Sequence, residues 1–91
     1  MIWKVEFDDR AAKELRKLDK GAQEQILAYL RERIGTADDP RRFGKSLSGN
    51  FAGLWRYRIQ NYRLICVFEH DRLAVLVLRV GHRKNVYEND L

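Results

Sequence analysis

Apolar and polar residues alternate over residues 54–68 in the middle of the chain. A period of two is typical of a β-strand rather than of a helix. Trp55, Tyr57 and Ile59 therefore fall on one side of a predicted strand. Residues 60–61 are Gln-Asn, and Asn tolerates positive φ, so this dipeptide can form a two-residue hairpin turn. The segment is thus predicted to be a β-hairpin with one apolar face.

The hairpin register predicts which residues are neighbours across the two strands. The apolar pairs are Ile59 with Tyr62, Tyr57 with Leu64, and Trp55 with Cys66. The same register sets Arg58 opposite Arg63 on the second face, with Arg56 one step away. Like charges that are directly opposite in a sheet are destabilising. The three arginines favour binding of an external anion, and a solvated face with splayed arginines is the alternative.

The first third of the chain predicts one strand and two helices. Trp3, Val5 and Phe7 alternate in a short strand over residues 2–7, and Asp8 or Asp9 can cap the helix that follows. That helix has an inner side of Ala11, Ala12, Leu15 and Leu18 and an outer side of Lys13, Glu14, Arg16 and Lys17. The second helix runs from about residue 22 to residue 34, with an apolar stripe of Ile26, Leu27, Leu30 and Ile34 and with Gly35 as its C-cap.

The remaining segments complete a predicted order of β-α-α-β-β-β. Residues 36–53 form a long loop with a basic cluster, for which Phe51 is a candidate anchor. Residues 73–80 are apolar except for Arg79, which predicts a buried strand at the centre of the sheet. The fold class is therefore α+β, a helical hairpin packed on a small antiparallel meander, within one domain over residues 1–91.

Charge and cysteine content narrow the function classes. The chain has 18 Lys and Arg against 13 Asp and Glu, a net charge of +5 and a pI near 9.7, which favours an acidic partner such as nucleic acid. The single cysteine, Cys66, allows no intramolecular disulfide, suits a reducing cytosol, and is predicted to fill the core. The N-terminus has no signal-peptide pattern, and no apolar run is long enough to span a membrane. His70 and His82 are far apart in sequence, so no metal or cofactor is expected.

Basic residues are predicted to converge at one end of the sheet. If residues 73–80 pair with residues 62–68, then His82 and Arg83 lie beside Arg63, and the turn brings Arg58 to the same edge. Arginine forks bind phosphate in a bidentate manner. Tyr87 follows closely and can stack on a base or donate a proton. Such a cluster can stabilise a pentacoordinate phosphate.

At these residues the sequence resembles the RelE toxins of toxin–antitoxin pairs, within the wider RelE/ParE superfamily. The resemblance covers nearly the whole chain. It rests on FDDRAAKELRKLDK near the start, on SLSG before the meander, and most specifically on LWRYRIQNYRLI and RVGHRKNVY. It implies a ribosome-dependent endoribonuclease that cleaves mRNA in the A site through attack by the ribose 2′-OH. It also implies a cognate antitoxin that inhibits the toxin, and operator DNA bound only through the complex of the two.

The resemblance assigns candidate roles residue by residue. It gives as catalytic candidates Arg56 and Arg58, where relatives carry lysines, together with Arg63, Arg83 and Tyr87. His82 joins the catalytic candidates on its own chemistry, and the basic residues Arg41, Arg42, Lys45 and Lys84 are the RNA-binding candidates. Ser48 stands where some relatives have a basic residue. Because arginine stays protonated, the general base is left open, and His82 is the substitute with a suitable ordinary pKa.

Two other functions remain open from sequence. The first is a ParE-like toxin that inhibits DNA gyrase by binding, without RNA cleavage. The second is a basic nucleic-acid-binding module without toxicity. The shared fold does not separate the two toxin functions.

Overall fold

Two helices and five strands make up residues 3–82, the part of the chain that the computed structural model describes. In chain order these are β1 (Lys4–Phe7), α1 (Asp9–Arg16), α2 (Lys20–Tyr29), β2 (Lys45–Ser46), β3 (Trp55–Ile59), β4 (Tyr62–Glu69) and β5 (Ala74–His82). A π-helical segment, Leu30–Ile34, continues α2, and short 3-10 turns lie at Pro40–Phe43 and Gly49–Phe51. In these described residues, no helix is both long and apolar enough to cross a membrane.

The five strands form one mixed sheet in the order β1-β5-β4-β3-β2. β2, β3, β4 and β5 run antiparallel in succession, whereas β1 pairs parallel with β5. The α+β class and the antiparallel meander are confirmed. Two details differ from the expectation. The long loop contributes the short edge strand β2, and β4 rather than β5 is the middle strand, because the loop adds a strand at the far edge.

Both helices begin at an aspartate and pack on one face of the sheet. The side chains of Asp8 and Asp19 accept hydrogen bonds from Ala11 N and Ala22 N, each at 2.8 Å, and so satisfy N–H groups that a helix leaves unpaired. The main core between helices and sheet consists of Trp3, Ala11, Leu15, Ile26, Leu30, Ile34, Tyr57, Ile59, Leu64, Cys66, Phe68, Val75, Val77 and Val80. Leu27 does not belong to this core, since 40% of it is exposed.

The β3–β4 register agrees with the sequence prediction at every pair, including Arg58 with Arg63. The turn differs in one respect: the positive φ of +57° belongs to Gln60 rather than to Asn61. Cys66 is fully buried, and burial raises the pKa of its thiol, so the thiol stays protonated. Its predicted role as core filler is confirmed.

A smaller apolar cluster lies on the second face of the sheet. Leu47 and Ile65 are buried there, and Phe51 and Leu54 pack against them. The bond from Leu47 N to Leu54 O, 2.9 Å long, closes the loop between these residues. Phe51 is therefore the anchor that the sequence suggested, and it holds the loop beside the arginines of the hairpin.

The pairing of Arg58 with Arg63 allows a test of whether this contact stabilises or destabilises the fold. We expect Arg58→Gln to raise the free energy of unfolding by about 0.5 kcal/mol at low salt, because it removes a like-charge pair. The gain should shrink as ionic strength rises and screens the pair. Urea unfolding at several salt concentrations measures both effects.

Lys13→Gln is the matched control, because Lys13 is an exposed residue of α1 and its loss changes the net charge equally. A loss of stability in Arg58→Gln that exceeds the loss in the control would show that the Arg58 pairing supports the fold.

Candidate functional site

Four cations share the sheet face that is turned away from the helices. Lys45 pairs with Arg56 across β2 and β3, and Arg58 pairs with Arg63 across β3 and β4. Side chains of directly paired residues lie on the same face, with Cβ atoms about 5 Å apart. Because Tyr57 between the two arginines of β3 is in the main core, Arg56 and Arg58 face the other way. We call Lys45, Arg56, Arg58 and Arg63 the cationic face.

Three of the four members of this face have no carboxylate partner within residues 3–82. Lys45, Arg58 and Arg63 form no ion pair there, since the ion-paired acids are engaged by other cations. The Nε atom of Arg63 is buried and has no hydrogen-bond partner among the described residues. A buried donor without an acceptor is costly, so this guanidinium is suited to an acceptor that arrives from outside.

A polar pocket of about 240 Å³ opens beside the cationic face. Its lining residues are Lys45, Ser46, Leu47, Ser48 and Arg56. Ser48 precedes the 3-10 turn, but its hydroxyl does not cap that turn, so it stays available as a donor. Two of the lining residues are basic and none is a carboxylate, which suits the pocket to a phosphate-sized anion.

His82 lies at the same end of the sheet but on the opposite face. It pairs with Tyr62, whereas Gly81 pairs with Arg63. The imidazole contacts the Tyr62 ring edge-on, with 5.9 Å between ring centroids, and Tyr62 packs against the main core. The structure thus brings Arg56, Arg58 and Arg63 together, while His82 reaches the cationic face only around the end of β5. The expected convergence of these groups on one edge is therefore only partial.

The other predicted site residues fall into two groups. Arg41 forms a bidentate pair with Asp39, with both N–O distances at 2.9 Å, and Arg42 stacks over Phe43 at 5.8 Å from the ring centroid. The bonds from Arg41 lower the pKa of Asp39 to about 2, so this pair persists at neutral pH. Arg83, Lys84 and Tyr87 lie outside the described residues.

Glu14 and Arg79 form a partly buried ion pair that the sequence prediction missed. Glu14 was placed on the outer side of its helix, and this placement is wrong. Its carboxylate accepts hydrogen bonds from the Arg79 side chain at 3.0 Å and from Val80 N at 2.9 Å. The available signal was Arg79 itself, the one charged residue in the apolar run of residues 73–80, because a buried charge needs a partner.

An apolar groove lies on the helix side, far from the cations of the sheet. It has a volume of about 420 Å³ and is lined by Trp3, Val5, Phe7, Leu27, Leu30, Arg31, Gly35 and Thr36. The groove runs beside β1, an edge strand of the sheet. The exposed Leu27 belongs to its wall, which explains why this residue of the predicted stripe is not covered by the sheet.

The arrangement can bind phosphate groups and stabilise negative charge. Within the described residues, no group of three or more His, Cys, Asp or Glu side chains is placed to hold a metal ion. Arginine stays protonated, so the three arginines of the cationic face supply charge and hydrogen bonds rather than proton transfer.

Comparisons with known proteins agree with this geometry. Residues 5–87 match the family model of the ParE toxin of the type II toxin–antitoxin system parDE. Toxin RelG of Mycobacterium tuberculosis strain ATCC 25618 / H37Rv is 33% identical over an alignment of 89 residues, which covers 96% of this chain and 98% of that protein.

Solved structures of RelE proteins share the fold. The toxin–antitoxin complex RelBE2 from Mycobacterium tuberculosis contains a chain with a TM-score of 0.84 and 27% identity, covering 93% of this chain and 95% of that one. The isolated RelE toxin of E. coli has a TM-score of 0.69 and 26% identity, covering 88% and 83%. The protein therefore belongs to the RelE/ParE superfamily and is a RelE-like toxin of a type II toxin–antitoxin system.

Proposed function

We propose that this toxin is a ribosome-dependent endoribonuclease that cleaves mRNA in the ribosomal A site and so inhibits translation. The observation that carries the proposal is the cationic face, above all Arg63, whose buried Nε–H has no acceptor within residues 3–82. Arg58 lies directly opposite and forms no ion pair with a described carboxylate. Two neighbouring guanidinium groups with no counter-ion among the described residues suit the oxygens of a phosphodiester.

The proposed reaction is a transfer within the RNA strand. The ribose 2′-oxygen attacks the adjacent phosphorus, a new O2′–P bond forms, and the P–O5′ bond breaks. The 2′-OH proton passes to a base, and the leaving 5′-oxygen takes up a proton. The products are a 2′,3′-cyclic phosphate and a 5′-hydroxyl. Negative charge grows on the phosphate oxygens in the transition state, where Arg56, Arg58 and Arg63 stabilise it.

Proton transfer needs a group other than these arginines. We assign the base role to His82, which lies at the end of β5 near the pair formed by Arg63 and Gly81. Tyr87 is proposed as the proton donor, and Arg83 as a further phosphate ligand. Because His82 projects on the Tyr62 face, it acts only if the scissile bond lies at the strand end rather than over the middle of the sheet.

The ribosome has a clear physical role in this scheme. An open sheet face binds phosphates but does not by itself align a 2′-OH for in-line attack. The decoding site presents the codon in a defined conformation and supplies that alignment. Lys45, Arg42 and Lys84 are proposed to bind the flanking RNA, with the pocket beside Lys45 as one phosphate position. Arg41, already paired with Asp39, contributes less charge.

A cognate antitoxin is the second proposed partner, and operator DNA is bound only through the complex of the two proteins. Relatives of this chain have been solved as toxin–antitoxin complexes. The apolar groove beside β1, with Arg31 at its wall, suits an amphipathic segment that carries an acidic residue. The cationic face suits further acidic residues of the same antitoxin.

A gyrase inhibitor is the competing function, because the matched family model is that of a ParE toxin. The cationic face can bind and stabilise a phosphate, which favours RNA cleavage, whereas an inhibitor that only binds gyrase needs no such site. One preparation of protein distinguishes the two. Primer extension on mRNA from translating ribosomes detects cleavage, and a DNA supercoiling assay detects gyrase inhibition.

We expect Arg63→Ala to abolish new primer-extension stops within A-site codons. The single-turnover rate constant should fall by about 10²-fold or more, the scale for loss of one preorganised charge donor, while ribosome affinity changes little. Lys13→Ala, on the exposed side of α1, is the matched control and should cleave normally. Intact mRNA together with lost supercoiling in the wild type would overturn the proposed reaction.

The His82 assignment predicts a pH dependence. We expect the wild-type cleavage rate to rise with pH, because only a neutral imidazole can accept the 2′-OH proton. His82→Gln should lower the rate by about 10²-fold and remove that rise. His70→Gln is the control, since His70 contacts Trp3 at the other end of β4. A His82→Gln protein with the wild-type rate and pH profile would show that the imidazole only packs on Tyr62.

A further inference from the structure

The outer edge of β5 is covered by β1 along only part of its length. The ladder between the two strands ends at Phe7 and Val77, and the bond from Asp8 N to Val77 O, 3.0 Å long, is the last backbone contact. The chain then turns away at Asp8 to begin α1. Among residues 3–82, no strand lies beside the last residues of β5 on that side.

Beyond the end of β1, the Glu14 side chain lies beside the outer edge of β5. Its Oε1 accepts the N–H of Val80 at 2.9 Å, and an edge N–H that is left unpaired inside a protein would be costly. The β4–β5 register also shifts between Ile65 and Cys66, so one extra residue of β5 lies just before this bond. Such irregularities redirect a strand and are enriched near functional sites.

Arg79 holds the Glu14 carboxylate in this position. Its Nε lies 3.0 Å from Oε2 and its second terminal nitrogen also lies 3.0 Å from Oε2. The Arg79 side chain is 9% exposed and the Glu14 side chain 21%. Ala11 and Leu15, on either side of Glu14 along α1, are buried in the core and fix the helix. The carboxylate is thus held by both the helix and the guanidinium.

We infer that Glu14 is a positioning residue whose carboxylate replaces the missing strand and holds the end of β5 for catalysis. That strand end places Gly81 opposite Arg63 and His82 opposite Tyr62. The chain continues directly into Arg83, another proposed catalytic residue. The catalytic part of this inference rests on the proposed function. The hydrogen bond by which Glu14 holds Val80, which we call the clamp, does not depend on that function.

Two double variants isolate the hydrogen bond to Val80 from the ion pair. Glu14→Gln with Arg79→Met removes both charges but keeps an amide oxygen that can accept from Val80. Glu14→Met with Arg79→Met has nearly the same shape and no acceptor. Neither variant leaves an unpaired buried charge, so both are better tests than either single charge removal.

We call Glu14→Met with Arg79→Met the methionine pair and Glu14→Gln with Arg79→Met the glutamine pair. We expect the amide hydrogens of Val80 and its neighbours to exchange faster in the methionine pair than in the glutamine pair. On ribosomes, the methionine pair should lose about tenfold or more in single-turnover rate, because small misplacements of reacting groups are costly. The glutamine pair should stay within about threefold of the wild type, and ribosome affinity should be the same for all three proteins.

Equal cleavage rates in the two double variants would overturn the positioning role, as would a loss that appears only in ribosome affinity. If the methionine pair does not fold, Glu14→Asp replaces it as the test variant. Its side chain keeps the negative charge but is one methylene shorter, so the carboxylate does not reach Val80 N. If the wild-type protein does not cleave mRNA, the proposed function fails, and equal amide exchange in the variants would then overturn the clamp as well.

Discussion

The period-two register of the β3–β4 hairpin is the constraint on which the rest of the structure depends. It directs Tyr57 and Leu64 into the main core and, at the same time, sets Arg58 opposite Arg63 on the other face. A slip of one residue would exchange the two faces and bury the arginines. The burial of the apolar face therefore also fixes the positions of the arginines on the cationic face. The free energy of burying aromatic and aliphatic side chains holds together like charges that would otherwise separate.

The helices serve the sheet in two different ways. Through Ala11, Leu15, Ile26 and Leu30 they cover its apolar face. Through Glu14, α1 also completes the edge of β5 beyond the last residue of β1. The second contact is specific, since it uses one carboxylate, one backbone N–H and one guanidinium. It links the start of the chain to the strand end from which His82 and the residues after it extend.

Much of this architecture could be predicted from sequence because it follows from short periodicities. The alternation of residues 54–68 defined the hairpin pairs, and the pair Asp8-Asp9, of which Asp8 is the cap, marked the start of α1. The unpredicted features arise where distant segments meet. β2 forms only because residues 45–46 lie against β3, and the Glu14 partner of Arg79 is 65 positions away. The face of His82 depended on the β4–β5 register, which alternation within one strand does not give.

The candidate site was predictable to a similar extent. Arg56, Arg58 and Arg63 were correctly grouped because they lie within one hairpin, whose geometry is local. The pocket formed by Lys45, Ser48 and Arg56 was missed, since it needs the loop to fold back along β3. The roles assigned to Arg83, Lys84 and Tyr87 stay predictions from the sequence.

The central claim is that the cationic face promotes attack by a ribose 2′-OH on ribosome-bound mRNA. The most direct measurement uses mRNA with a single 2′-deoxy nucleotide immediately 5′ of the cleaved phosphate in the A-site codon. Our account predicts that cleavage stops at that bond, while the all-ribose message is cut to a 2′,3′-cyclic phosphate and a 5′-hydroxyl. Cleavage that continues at the deoxy position, or that leaves a 5′-phosphate, would contradict it.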